Sequence, residues 1–195
     1  MKRIRIILWA LVAVAVLAFG ALYLRQRQQE PQPSALQASF GGPFTLVDSQ
    51  GHPFSSSKLA GRPYAMFFGF THCPDVCPTT LARLVRLRRQ LGNDDAFHIV
   101  FVTVDPERDG PSEVGRYSDL FDAPVIGLTG SPAQIGQVKK QFGIFSEKAG
   151  TGDAYSVDHT ATVLLFDKDG QFQSTISPDE ADQAALAKLR RLSAG

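Results

Sequence analysis

The chain has 195 residues, of which 44% are hydrophobic and 20% are charged. This is enough apolar material for one globular core, and it excludes a disordered or collagen-like chain. Three of the 20 basic side chains precede the first apolar run, so residues 25–195 carry 17 basic and 19 acidic side chains. The lack of a basic excess in residues 25–195 argues against nucleic acid as a partner, because binding phosphates requires positive charge.

The first predicted element is an uncharged run at residues 6–24, IILWALVAVAVLAFGALYL. At about 1.5 Å per residue its helix would cross a hydrocarbon core of about 30 Å. Lys2, Arg3 and Arg5 precede the run, so the positive-inside rule predicts a cytoplasmic N-terminus. We expect residues 1–24 to be a single-pass inner-membrane anchor that places the remaining chain in the periplasm. A cleaved signal peptide is the alternative, because Ala18 and Gly20 offer a processing site.

A polar segment, RQRQQEPQPSALQAS, follows at residues 25–39. Its Gln, Pro and Ser content is typical of a flexible linker. We expect the folded domain to begin near Phe40 and to cover residues 40–195, with no further boundary.

Within this domain, short apolar runs alternate with helical patterns. Runs of strand length lie at residues 44–47, 64–70, 98–104, 125–127 and 162–166. Helical patterns lie at residues 78–91, 112–121, 131–142 and 179–192. The second and third runs are apolar on both faces, as buried parallel strands are. The alternation predicts an α/β domain with a mixed sheet flanked by helices.

Two smaller features belong to this prediction. Asp169 and Gly170 separate the last apolar run from the segment QFQSTI, which indicates a hairpin turn. Arg83 and Arg86 lie on the opposite side of the first helix from its leucines, and we expect the arginines of that helix to face solvent.

The two cysteines of the chain, Cys73 and Cys77, lie in the segment THCPDVCP after the second apolar run. Pro78 suits the first turn of a helix, so both sulfurs are predicted to lie in a strand-to-helix turn. Free backbone N–H groups and the helix dipole would lower a thiol pKa there. A thiolate is both the nucleophile of disulfide exchange and a soft ligand for Cu(I). The alternative is a structural disulfide, although so short a loop gives only about 2 kcal/mol of stabilisation.

A third candidate, His159, lies directly before the apolar run at residues 162–166, in a loop that could fold over the cysteine turn. Two sulfurs and one imidazole would form a site of low coordination number suited to copper. A loop histidine taken alone is more often a surface residue than a ligand, and the residues alone leave both interpretations open.

Several segments together resemble the Sco/SenC family of copper chaperones. They are FGFTHCPDVCP at residues 68–78, VDPERD at 104–109, LTG at 128–130 and YSVDHT at 155–160, and the likeness covers residues 40–192. The resemblance implies a thioredoxin-like fold behind one membrane anchor, with copper ligands at Cys73, Cys77 and His159. It also implies a role in assembling the CuA centre of cytochrome c oxidase. The implied partners are the copper-containing oxidase subunit and an upstream copper donor or thiol reductant.

Two functions remain open. The first is a metallochaperone, which is not an enzyme. The second is a thiol-disulfide reductase that uses Cys73 and Cys77 as its redox pair. The three residues between the cysteines, the lack of a proline in the segment HTAT and the presence of His159 favour the first. We expect a disulfide between Cys73 and Cys77 in the oxidised, copper-free state.

Four acidic residues near these segments carry further expectations. Asp105, Glu107 and Asp109 could form an acidic rim near the metal; alternatively, Asp105 begins an ordinary turn and Asp109 caps the next helix. Asp158 could orient the His159 ring, or it could be a solvated loop acid.

Overall fold

The computed structural model describes Trp9 and residues 40–152 and 155–194. The chain divides into two compact units, Met1–Ala38 and Ser39–Gly195. Apart from Trp9, the predicted anchor at residues 1–24 and the predicted linker at residues 25–39 lie outside the described residues. No helix in the part of the chain that is described has both the length and the apolar character needed to cross a membrane.

A seven-stranded mixed sheet forms the centre of the second unit. Its strands are β1 (Thr45–Asp48), β2 (Pro53–Ser55), β3 (Tyr64–Gly69), β4 (His98–Thr103), β5 (Ile126–Thr129), β8 (Val163–Phe166) and β9 (Phe172–Ile176). They lie in the order β2-β1-β5-β4-β3-β8-β9, and the central strands β5, β4 and β3 are parallel. A separate two-stranded sheet, the β6–β7 hairpin, consists of β6 (Ser146–Ala149) and β7 (Ser156–His159).

The helices connect these strands. They are α1 (Val76–Gln90), α2 (Pro111–Ser118), α3 (Pro132–Gln141) and α4 (Asp182–Ala194), with short 3-10 segments η1 (Ser56–Leu59) and η2 (Asp119–Phe121). The prediction of an α/β domain with a mixed sheet is confirmed, and each predicted strand and helix is present with shifted ends. The hairpin turn at Gly170 is also confirmed, because this residue has φ of 75° between the paired strands β8 and β9.

The predicted buried strands are the centre of the core. All six residues of β3 and five of the six in β4 are buried, and the two strands pair in parallel from Tyr64 opposite His98 to Gly69 opposite Thr103. A strand that is covered on both faces needs apolar side chains on both, which explains the runs YAMFFG and HIVFVT. Helix α1 buries Leu81, Leu84 and Leu87 in the same core.

The direction of the strands decides where the connecting loops meet. Because β3, β4 and β5 are parallel, their carboxyl ends lie at one edge of the sheet. Strand β8 is antiparallel to β3, so it begins at that same edge. The turn after β3, the loop after β4 and the residues before β8 are therefore neighbours.

The described part of the chain enters the domain at the opposite end of the central strands, where β3 begins. The Phe40 ring lies 6.4 Å from the Phe142 ring and 4.7 Å from the Phe172 ring, measured between centroids. Phe172 pairs with Phe166, which pairs with Tyr64 at the start of β3. The start of the domain and the cysteine turn thus lie at opposite ends of β3.

The prediction that the arginines of the first helix face solvent is wrong for Arg83 and Arg88. The Arg83 side chain is only 14% exposed and donates to the carboxylate of Asp182. Arg88 is buried, and its guanidinium donates to the carbonyl oxygens of Phe97 and Pro124. Long arginine side chains reach backbone acceptors that helical periodicity does not reveal.

Candidate metal centre

The two cysteines occupy different environments at the end of β3. Helix α1 begins at Val76, two residues before the predicted start, so Cys77 lies in its first turn and is buried. Cys73 lies in the preceding turn, is partly exposed, and donates its backbone N–H to the Phe70 carbonyl. The backbone N–H of Cys77 donates to the Cys73 sulfur at 3.4 Å. Both cysteines are free thiols, and one of them is accessible.

Gly69 makes room for the buried sulfur. A Cβ atom at this position would lie 2.8 Å from the Cys77 Sγ and 3.0 Å from a ring carbon of Phe67. Contacts this short are not tolerated between packed atoms, so glycine at the end of β3 permits the sulfur to lie against the strand.

His159 is the last residue of β7 and lies beside Cys77. Its Nδ1 is 3.1 Å from the carbonyl oxygen of Thr160, and a carbonyl only accepts, so Nδ1 carries the proton. The other ring nitrogen, Nε2, is then an acceptor and lies 3.4 Å from the Cys77 sulfur. Phe67 and Phe70 pack edge-on against the imidazole, with ring centroids at 6.0 and 5.8 Å. These contacts orient one lone pair towards the cysteines.

The structure brings the three predicted ligands together. Donor atoms of Cys73, Cys77 and His159 all lie within 4.8 Å of one another. The histidine comes from a hairpin 82 residues beyond Cys77, so this cluster depends on the tertiary fold. One ion placed between two soft sulfurs and one imidazole nitrogen would have the low-coordination S₂N environment that suits copper.

Burial changes the proton affinity of two of these groups. It raises the pKa of the Cys77 thiol, and the hydrogen bond with Cys73 acts in the same direction. The prediction that the turn lowers the thiol pKa is therefore wrong for Cys77, because desolvation outweighs the lowering effect of a backbone hydrogen bond with Phe70. Burial also lowers the pKa of His159, against the opposing effects of the Thr160 carbonyl and Asp158. A neutral imidazole is the form that binds a metal.

The expected acidic rim does not exist. Asp105 and Asp109 are buried, and only Glu107 of the three is exposed. The Glu107 carboxylate pairs with the Lys148 ammonium at 2.6 Å. The rim prediction is wrong because Asp105 and Asp109 accept hydrogen bonds inside the protein, and the positive charge of Lys148 balances the negative charge of Glu107.

Asp109 instead fastens the cysteine turn to the sheet. Its carboxylate accepts from the backbone N–H of Thr71 at 2.9 Å and from the hydroxyls of Thr71 and Thr103, each at 2.6 Å. The alternative that it caps the next helix is also wrong, because Gly110 is the N-cap of α2 and no side chain caps it. Asp109 thus connects the turn after β3 to the end of β4.

Asp158 does not orient the imidazole. It is exposed, whereas the Thr160 carbonyl occupies the hydrogen-bonding position at Nδ1 of His159. The alternative of a solvated loop acid describes it correctly.

Sequence reasoning missed a second group of contacts near the site. Arg108 donates from Nε to Asp105 at 2.6 Å and from Nη1 to the Tyr155 carbonyl at 2.9 Å. The Tyr155 hydroxyl donates to Asp105 at 2.7 Å, and the Arg108 guanidinium lies 3.6 Å from the centroid of the tyrosine ring. These residues lie in the segments VDPERD and YSVDHT, but one sequence does not show that the segments touch.

Comparisons with known proteins agree with this architecture. The SCO1/SenC family model matches residues 32–194. The protein named "SCO2 homolog, mitochondrial" from Bos taurus is 36% identical over 200 residues, which cover 97% of this chain and 75% of that protein. The structure of ScoI from Bradyrhizobium japonicum, which has copper bound, is 40% identical with a TM-score of 0.71, covering 78% of this chain and 99% of that one.

A more distant structure shows the same fold. BsSco, described as a member of the Sco family of cytochrome c oxidase assembly proteins, is 22% identical with a TM-score of 0.63. That match covers 80% of this chain and 94% of that one. The mixed sheet and its flanking helices are therefore the thioredoxin-like fold expected from the resemblance. Because the family model spans the whole described domain, the chain belongs to the SCO1/SenC family.

Proposed function

We propose that the protein is a copper chaperone that holds one copper ion between the sulfurs of Cys73 and Cys77 and Nε2 of His159. The observation that carries the proposal is the convergence of these three donor atoms within 4.8 Å. Two soft sulfurs and an imidazole select copper over hard cations. ScoI of Bradyrhizobium japonicum, at 40% identity, has copper bound, which supports the same cargo here.

The arrangement of the donors suggests how the ion is taken up and released. Cys77 is buried and Cys73 is partly exposed, so an incoming ligand reaches the site from the Cys73 side. The thiols must lose their protons as they bind the metal, whereas the neutral imidazole presents its lone pair without losing one. Release to a client then proceeds by ligand exchange that begins at Cys73.

We further propose that the client is the copper-containing subunit of cytochrome c oxidase, at its CuA centre. Membership of the SCO1/SenC family supports this client, and BsSco is described as belonging to a family of oxidase assembly proteins. The apolar run at residues 6–24 supports an inner-membrane anchor with the domain in the periplasm. An upstream copper donor or thiol reductant would load or reduce the site.

A thiol-disulfide reductase is the second candidate, and the accessible Cys73 thiol favours it. In that role one thiolate attacks a client disulfide and the other resolves the mixed disulfide, so that Cys73 and Cys77 end as a disulfide and the client is reduced. The imidazole beside Cys77 has no necessary part in this exchange, whereas it completes a copper site.

Titration of the reduced protein with Cu(I) distinguishes the two functions. We expect about one bound ion with sulfur and nitrogen ligation, in line with the S₂N donor set. His159→Ala should weaken copper binding while leaving the rate of thiol-disulfide exchange nearly unchanged, and Cys73→Ser should impair both. Full copper affinity in His159→Ala would remove the histidine from the site. Rapid reduction of a disulfide peptide by a protein that does not retain copper would favour the reductase.

A further inference from the structure

Strand pairing does not fix the position of the β6–β7 hairpin, which carries His159, on the rest of the domain. The hairpin forms a two-stranded sheet that is not paired with the seven-stranded sheet. Two-stranded hairpins are at best marginally stable in water, so side-chain contacts must decide where this one lies. The separation between His159 and the cysteines therefore depends on what holds the hairpin.

The loop at residues 105–109 contacts both halves of the metal site. On one side, the buried carboxylate of Asp109 accepts three hydrogen bonds from Thr71 and Thr103, which fixes the cysteine turn. On the other side, Asp105 and Arg108 contact Tyr155, which lies four residues before His159. One short loop thus connects the two segments that supply the ligands.

Tyr155 makes most of the contacts on the hairpin side. Its hydroxyl donates to the buried Asp105, and its carbonyl accepts from Arg108. The Arg108 guanidinium and the Lys148 ammonium lie 3.6 and 4.6 Å from the centroid of its ring. A charge-assisted hydrogen bond and two cation–π contacts on one side chain restrict the start of β7.

We propose that Tyr155 is a positioning residue which, through Asp105 and Arg108, holds the β6–β7 hairpin so that His159 stays beside Cys77. The inference rests on the proposed function, because copper affinity is the property that this placement serves. When the hairpin opens, the histidine leaves the site, and the apparent affinity falls in proportion to the closed fraction.

Other contacts also reach the hairpin. The side chain of Lys139 donates to Ser146. The backbone N–H of Thr160 donates to the Phe145 carbonyl, and the backbone N–H of Phe145 donates to the Thr160 hydroxyl. Loss of Tyr155 should therefore loosen the hairpin without unfolding the domain. This makes the proposal testable in a folded protein.

The first test needs no metal. In the reduced, metal-free full chain, NMR should show nuclear Overhauser contacts between the His159 ring and the rings of Phe67 and Phe70. Tyr155→Leu removes both the hydroxyl and the aromatic face, and these contacts should be lost. Tyr155→Phe keeps the ring beside Arg108 and should retain most of them. Unchanged contacts in Tyr155→Leu would overturn the proposal.

The second test is a double-mutant cycle for Cu(I) affinity. Tyr155→Leu should weaken binding about tenfold in the otherwise unchanged chain and have almost no effect in His159→Ala, because the two changes act through the same ligand. Equal losses in both backgrounds would show that Tyr155 does not act through His159. The matched control is Tyr64→Leu, which removes a buried tyrosine ring stacked on Phe166 at the other end of β3 and should leave copper affinity unchanged.

The two hypotheses fail in different ways. A wild-type protein that binds no copper would overturn the proposed function, while the metal-free ring contacts would still decide the role of Tyr155. A wild-type protein that binds copper through His159 without any dependence on Tyr155 would overturn only the positioning role.

Discussion

Gly69 leaves room for the sulfur of a candidate ligand, Cys77. We expect Gly69→Ala to destabilise the protein by about 1–3 kcal/mol, because the added methyl would lie 2.8 Å from the Cys77 sulfur and also overlap the rings of Phe67 and Phe101. Chemical denaturation measures the loss of stability. Because the sulfur must move, copper affinity should fall in the same variant.

Gly136→Ala is the matched control for this substitution. Gly136 lies within α3, and apart from its chain neighbours and the backbone of its own helix no described atom lies within 4 Å of the Cβ that the substitution would add. Alanine is favoured over glycine in a helix, so this variant should be unchanged or more stable by about 0.5–1 kcal/mol. Equal destabilisation by both substitutions would mean that the Gly69 contact is not the cause.

His98 should contribute to the loss of folding stability at acid pH. Burial lowers its pKa, and the positive charges of Arg62 and Arg88 act in the same direction, against Asp95. His98 therefore binds a proton more readily in the unfolded chain than in the folded protein. The free energy of unfolding falls as the pH drops below about 6.5, the pKa of histidine in the unfolded chain, and continues to fall through the lower pKa of His98 in the folded protein. In His98→Gln, the free energy of unfolding should fall less steeply between about pH 7 and pH 5.

Denaturant titrations at a series of pH values measure this difference. An unchanged slope in His98→Gln would show that other groups carry the acid dependence.

The candidate ligands could be predicted from sequence, whereas the roles of their neighbours could not. Cys73 and Cys77 are the only cysteines in the chain, and His159 lies in a segment that resembles a known family, so chemistry and likeness identified them. For Asp109 the sequence predicts an acidic rim or a helix cap, whereas its three donors come from Thr71, which follows β3, and Thr103, which ends β4. Burial of a carboxylate depends on tertiary partners, and no local pattern encodes it.

At the level of elements, apolar periodicity predicted the strands of the core and failed for the β6–β7 hairpin. The segments SEKA and SVDH bury only Val157, so they contain no apolar run. They pair because the chain between α3 and β8 folds back on itself, with Ser146 opposite His159. Hence the hairpin, which carries a candidate ligand, is among the elements that the hydrophobic pattern does not predict.

The contact between α1 and α4 leads to a stability prediction for Arg83. Arg83 donates to Asp182, the first residue of α4, at 2.7 Å and to the carbonyls of Ser177, Pro178 and Glu180 in the segment before α4. Arg83→Ala should destabilise the protein by about 2 kcal/mol, because hydrogen bonds to a charged group contribute more than neutral ones. Chemical denaturation is the measurement.

Arg86→Ala is the control on the same helix. Arg86 also pairs with Asp182 at 2.7 Å, but its side chain is 56% exposed. Exposed ion pairs contribute little, so the loss should stay below about 1 kcal/mol. If the two alanine variants lost equal stability, the backbone acceptors around Arg83 would not matter.

For the molecule as a whole, copper and folding should be coupled. The donor atoms come from the turn after β3, the first turn of α1 and the end of β7, so unfolding disperses them. At a free Cu(I) concentration of about 100 times Kd, the free energy of unfolding should rise by about 2.7 kcal/mol. Denaturant titration in a Cu(I) buffer measures the increase.

Cys73→Ser serves as the reference for this linkage. It removes one sulfur from a partly exposed position, and copper should stabilise it far less. Wild-type protein that gains no stability at saturating copper would indicate that the unfolded chain binds the ion equally well through the short cysteine segment.

The position of Phe40 has a practical consequence. The chain enters the domain beside Phe142 and Phe172, at one end of β3, and the cysteine turn follows the other end. A six-residue strand separates them by about 20 Å. A fluorescent reporter or affinity tag attached at Phe40 would therefore be well away from the sulfurs. Copper binding measured on protein immobilised through that position should not be obstructed by the attachment.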